Sequence, residues 1–155
     1  YQNLVDTGRI DAWRLDWKEG EPNRPHIYWD SDVAKWIEAA AYSLTTHPDA
    51  DLEARVDEVT DLIVSAQAED GYLNSYYQTC EPASRWTNLR VNHELYCAGH
   101  LIEAAVALHE GLGKRKLLDA MCRYADLIDS VFGPEDGKKK GYPGHQEIEL
   151  ALVKL

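Results

Sequence analysis

The sequence of 155 residues is poor in several things. It holds three cysteines, one methionine and one phenylalanine. Cys80, Cys97 and Cys122 form no C-x-x-C pair and no even-numbered framework, which argues against a secreted disulfide scaffold. Unpaired thiols fit a reducing compartment, and a cytoplasmic location is the expectation. Basic residues are scarce: 16 Lys and Arg stand against 27 Asp and Glu, for a formal net charge of -11. Phosphate contacts need clustered cations, so nucleic acid is excluded as a partner, and acidic groups repel anionic lipid. No apolar run approaches the roughly 18 residues of a membrane span, and no signal peptide or credible strand is present. The chain starts at Tyr1 and stops within an apolar pattern at Val153-Lys154-Leu155, as expected of a piece of a longer protein.

What is there is helical periodicity. Residues 1–31 read as an irregular arm in which Trp13, Trp17 and Trp29 alternate with charges and Pro22 and Pro25 break any helix. Asp30-Ser31-Asp32 offers N-cap candidates for a helix over about 32–45, with Val33, Trp36, Ile37, Ala40, Ala41 and Leu44 on one stripe. A second helix is predicted from about Asp51 to Ala68, closed by the Asp70-Gly71 turn. A loop rich in Tyr, Asn, Gln and Ser covers 71–91. Further helices are predicted over about 93–110 and 114–132. A loop with four glycines and two prolines fills 133–144, and a fifth helix starts near 145.

The pattern repeats at an offset of 65 residues. Ile37-Glu38-Ala39-Ala40 matches Ile102-Glu103-Ala104-Ala105, and Asp61-Leu62-Ile63 matches Asp126-Leu127-Ile128. Each unit is helix, short turn, helix, long polar loop. Such a hairpin cannot bury its apolar face alone, so neighbours must stack. Short turns on one rim and long aromatic-polar loops on the other describe an all-α fold, part of an (α/α)6 toroid. The expected organisation is one partial barrel domain over 1–155, with 1–31 as arm and 32–155 as helical hairpins.

Two helices open on a His-Glu turn: His93-Glu94-Leu95-Tyr96 and Gly144-His145-Gln146-Glu147, where Gly144 is expected to let the backbone turn tightly before the helix. Polar groups gathered at one end of a helical array make a binding site. A neutral imidazole can both donate and accept a hydrogen bond, which suits a sugar hydroxyl; the plainer alternative is a histidine that only caps backbone groups. Glu94 and Glu147 fit first-turn complements of the helix dipole. His93, Cys97 and His100 share a helical face, a spacing compatible with zinc, but Tyr96, Cys97, His100 and Ala104 fit a core stripe better. Asp30, Asp32 and Asp70 could act as paired carboxylates but are more simply cap and turn residues. Trp29, Tyr72, Tyr76, Tyr77, Trp86 and Tyr142 fit either a sugar-stacking rim or loop anchors.

Five ordered motifs run through the chain from residue 30: Asp30-Ser31-Asp32-Val33-x-Lys35-Trp36-Ile37-Glu38-Ala39-Ala40; Gln67-x-x-Asp70-Gly71-Tyr72-Leu73; His93-Glu94-Leu95-Tyr96-x-x-Gly99-His100-x-Ile102-Glu103-Ala104; Phe132-Gly133; and Gly144-His145-x-Glu147-Ile148-Glu149-Leu150-Ala151-Leu152. In this order the chain resembles glycoside hydrolase family 127, the β-L-arabinofuranosidase family. The resemblance implies a barrel catalytic domain and removal of an L-arabinofuranose-type carbohydrate with retention. In that family three cysteines and a glutamate hold zinc, one of the cysteines is the nucleophile, and another glutamate is the acid/base, around a Cys-Cys pair. This sequence has no such pair. The expectation is therefore no catalytic residue and no metal ligand or cofactor in this chain, with zinc in the full-length enzyme, and substrate binding by His93 and His145. The alternatives from other classes are a helical-repeat protein-binding module and another α/α-toroid enzyme, such as a sugar epimerase or an unsaturated glucuronyl hydrolase. The 145–155 helix, with Ile148, Leu150, Leu152, Val153 and Leu155 lacking partners, is expected to drive self-association of the isolated chain.

Overall fold

The computed structural model describes all residues, 1–155. The arm is less irregular than its prolines imply. It contains a short helix α1 (Gln2–Asp6) and a 3-10 turn (Asp11–Arg14). Trp13 on that turn is completely buried, so one aromatic ring ties the arm to the core.

The long helices follow as α2 (Trp29–Thr46) and α3 (Ala50–Ser65), then a short α4 (Ser75–Thr79) inside the first long loop, then α5 (Glu94–Leu112), α6 (Lys116–Val131) and α7 (Glu147–Lys154). No helix is long and apolar enough to cross a membrane. Asp49 starts α3: its carboxylate accepts from the Asp51 and Leu52 amides at 3.0 Å each. Such a cap is worth about 1 kcal/mol. Gly113 ends α5 in the left-handed region, with its amide on the His109 carbonyl (2.9 Å). At the start of α2 the expected cap does not form. The helix begins three residues early, and Asp30 and Ser31 are buried in its first turn. Asp30 accepts instead from the Ser75 amide (2.9 Å) and hydroxyl (2.5 Å), joining α2 to α4.

Two rows of parallel helices result. Gly111 of α5 faces Thr45 of α2 at one end, and Tyr96 meets Lys35 at the other, so α2 and α5 run the same way. Gly99 faces Glu147 and Glu103 pairs with Lys154, which sets α7 parallel on the other flank of α5. Behind them α3 and α6 run parallel to each other, linked by Lys114 to Asp57 (2.7 Å), Lys116 to Asp61 (2.5 Å) and Arg123 to Gln67. The 65-residue repeat is thus the pair α2–α3 followed by α5–α6, stacked as helical hairpins of an (α/α)6-type barrel. The central α5 is buried nearly all round. The small Ala98, Ala104, Ala105 and Ala107 of α5 and Ala34, Ala40 and Ala41 of α2 belong to one continuous core. Each fully buried Leu, Ile or Val in that core contributes roughly 1.5–3 kcal/mol.

Of the apolar residues expected to lack partners on α7, Ile148 does not fit: it is buried, as is Ala151. Leu150, Leu152, Val153 and Leu155 stay exposed, as does Tyr42 of α2.

Candidate functional site

Because α2, α5 and α7 are parallel, their N-termini share the rim reached by the long loops. His93 is the N-cap of α5 and sits at φ 56°, ψ 22°, in the left-handed region. A bulky residue there is uncommon, and such conformations gather at functional sites. The bond from its ring Nδ1–H to the Val91 carbonyl (2.5 Å) holds the imidazole. His145 lies just before α7, where its Nδ1 accepts from the Glu147 amide (3.1 Å). Tyr96, one turn into α5, stands between them. Its ring centroid is 5.7 Å from that of His93 and 4.8 Å from that of His145, both edge to face. These distances bound the separation of the two imidazoles at about 10.5 Å. Tyr28 packs edge-on against His93 (4.8 Å) and faces Tyr96 (6.4 Å).

Charge enters from α2. Lys35 Nζ donates to the Tyr96 hydroxyl (2.6 Å) and to Ser31 Oγ (3.3 Å), and has no carboxylate partner. Asp32 pairs instead with Arg9 (2.9 Å), whose guanidinium lies over the Trp29 ring. His100, a turn beyond Tyr96, has its Nδ1 3.2 Å from Glu147 Oε1. Burial, reinforced by the nearby Lys35 and His145, pushes the His100 pKa down to about 4, so its imidazole is neutral at pH 7. Burial and the neighbouring Glu103 raise the Glu147 carboxyl.

Two glycines permit this assembly. A Cβ on Gly99 would stand 2.7 Å from Glu147 Cγ, so only glycine lets α7 start so close to α5. A Cβ on Gly144 would stand 1.9 Å from the Arg90 carbonyl oxygen. The sequence suggests a tight turn as the reason for Gly144. The structure shows otherwise: its φ is not left-handed, and its requirement is backbone contact between the loops that carry His93 and His145.

Other expected residues fall elsewhere. Glu94 is no free first-turn charge. It is buried and accepts from the Tyr72 hydroxyl (2.5 Å) and the Trp86 amide (2.9 Å), which anchors the loop ahead of His93. Its carboxyl is raised by that burial. Tyr72, Tyr77 and Trp86 are buried loop anchors, and Trp86 packs edge-on against Tyr72 and Phe132. Tyr142 alone of the rim aromatics is almost wholly exposed, at 89 %. Asp70 receives the Tyr72 amide and Arg85, as a turn residue would. Cys97 is buried, and its thiol donates to the Ile27 carbonyl (3.2 Å). Burial raises that thiol well above the ordinary value. No three of His, Cys, Asp and Glu converge on a point that could hold a metal ion.

Tyr96 and Lys35 are the residues that sequence reasoning misplaced or passed over. The stripe pattern puts Tyr96 in the core, whereas it is half-buried at the centre of the site. The repeat held the signal: at an offset of 65, Ser31 and Lys35 correspond to Tyr96 and His100, and all four face the same end.

The chain is similar throughout to known proteins of one kind. Residues 5–155 match the family described as β-L-arabinofuranosidase, GH127 catalytic domain. A non-reducing end β-L-arabinofuranosidase of Bifidobacterium longum subsp. longum is 47% identical over 133 residues, which is 83% of this chain and 20% of that protein. A GH127 β-L-arabinofuranosidase from Geobacillus stearothermophilus T6, of known crystal structure, superposes with a TM-score of 0.89 at 55% identity, covering 96% of this chain and 24% of that one. A second GH127 β-arabinofuranosidase of known structure gives a TM-score of 0.90 at 35% identity, covering 99% and 26%. The chain thus spans about a fifth to a quarter of the length of these relatives, and it belongs to the GH127 β-L-arabinofuranosidase family of glycoside hydrolases.

Proposed function

We propose that this chain forms one side of the active site of a larger glycoside hydrolase that removes β-L-arabinofuranose from a non-reducing end with retention. Its part is to hold the sugar, through His93 and His145. The observation that carries this reading is the convergence of both imidazoles on Tyr96, at the shared rim of α2, α5 and α7, in a chain of this family. A protein-binding solenoid would have no reason to bring these rings within about 10.5 Å of one another. The acidic balance suits a neutral sugar.

The chemistry lies outside these residues. Burial raises the Cys97 thiol well above the ordinary value and raises the Cys80 thiol too, so neither offers an activated thiolate. Zinc, a nucleophilic cysteine and the acid/base would come from the remainder of the enzyme. The isolated 155-residue chain should show no turnover of an aryl β-L-arabinofuranoside.

In the full-length enzyme, His93→Ala and His145→Ala should each lower kcat/KM on that substrate by about tenfold or more, the scale of one lost hydrogen bond of about 1.4 kcal/mol. Values within twofold of wild type for both variants would remove the sugar from this site.

A further inference from the structure

The two histidines differ in one respect that the backbone decides. A carbonyl oxygen can only accept, so the contact between His93 Nδ1 and the Val91 carbonyl requires the proton on Nδ1. An imidazole in its neutral form carries one ring proton, so neutral His93 has a free lone pair on Nε2. A backbone amide can only donate, so the contact between the Glu147 amide and His145 Nδ1 requires that nitrogen to be bare. The proton of neutral His145 therefore sits on Nε2. Among the hydrogen bonds of the chain, none engages Nε2 of either ring. Each ring's free nitrogen thus lies opposite the edge that the loop backbone has fixed.

The third ring follows the same logic. The Lys35 ammonium has only donors, so at 2.6 Å the Tyr96 hydroxyl oxygen is its acceptor and the phenol proton remains to be given. We propose that this site is polarised for hydroxyl recognition. His93 Nε2 accepts a hydrogen bond from one hydroxyl of a furanoside, while His145 Nε2–H and Tyr96 O–H donate to other oxygens. Selectivity then rests on the direction of hydrogen bonds as well as on shape. A ligand group that can only accept, such as an ether or fluorine, is refused at His93 and tolerated at His145. This deepens the sugar-binding reading above and rests on it.

The test is nitrogen-15 NMR of histidine-labelled full-length enzyme near neutral pH, with and without methyl β-L-arabinofuranoside. His93→Gln and His145→Gln assign the signals, and the Asn variants replace either one that does not fold. Long-range couplings to the ring protons distinguish the two tautomers of each imidazole directly. The expected result is a protonated Nδ1 and bare Nε2 for His93, the reverse for His145, and a shift of both Nε2 signals when the sugar is added. The same tautomer in both rings, with the sugar-induced shifts intact, overturns the polarity and leaves the sugar site standing. Opposite tautomers with no shift at either Nε2 overturn the sugar site and this recognition scheme with it.

Discussion

Gly144 is where the geometry of the site can be perturbed most cleanly. Its amide donates to the Leu89 carbonyl (3.1 Å), and its Cα lies against the Arg90 backbone. In Gly144→Ala the new methyl would start 1.9 Å from the Arg90 oxygen and 2.8 Å from its carbonyl carbon. Both are backbone atoms and cannot rotate aside. Reaching even 3.0 Å, a distance below which real Cβ atoms essentially never pack, moves the two loops apart by about 1 Å. One loop leads into His93 and the other into His145, so their separation changes by a comparable amount. Misplacement of about 1 Å at a site costs on the order of 100-fold in rate. The local cost to stability is smaller: about 1 kcal/mol for the lost hydrogen bond and roughly 1–3 kcal/mol if the overlap is instead absorbed as strain. The assay is kcat/KM on an aryl β-L-arabinofuranoside by the full-length enzyme, with thermal unfolding alongside. Gly20→Ala serves as control, because Gly20 has φ +93° but nothing within 4 Å of the added methyl. It introduces backbone strain with no steric contact and should leave activity unchanged. A Gly144→Ala enzyme with kcat/KM within twofold of wild type would refute the argument that loop contact sets the histidine spacing.

Burial raises Asp30 from 3.8 to about 7, against the opposing pull of its bonds from Ser75. A carboxyl whose pKa is higher folded than unfolded stabilises the fold fully below about pH 4 and loses that contribution as pH rises through about 7. Asp30→Asn should therefore gain in thermal midpoint relative to wild type as pH goes from 5 to 8; a difference independent of pH over that range counts against a buried, proton-holding Asp30. On the outer side of α7, Val153 is 85% exposed and Leu150 53%, with Tyr42 of α2 also exposed. The isolated chain should self-associate in sedimentation equilibrium, and Val153→Lys with Leu150→Lys should shift it to monomer; a wild-type chain that is already monomeric at high concentration contradicts this.

The sequence by itself determined the long helices and their grouping. Helical spacing in Val33, Ile37, Ala41 and Leu44, with breakers at His47-Pro48 and Gly113, specifies where the apolar stripes begin and end, because period and capping are local properties of the chain. The 65-residue repeat specified stacked hairpins for the same reason: an apolar face that cannot be buried within one unit must be buried between units. That His93 and His145 each stand where a loop enters a helix was legible too. Tertiary structure alone decided which neighbours those residues meet. Asp30 reads as a cap until Ser75, 45 residues on, is placed against it. Glu94 reads as a dipole complement until Trp86 and Tyr72 close over it. Tyr96 reads as core because a stripe pattern records the face of a helix but not the point where that face leaves its neighbours and meets His93 and His145. Gly144 reads as a turn, and only the carbonyl of Arg90 shows that a loop 54 residues earlier forbids a side chain there. Contacts between distant segments depend on how whole helices are set against each other, and that placement is settled by the sum of the packing, which no local pattern records.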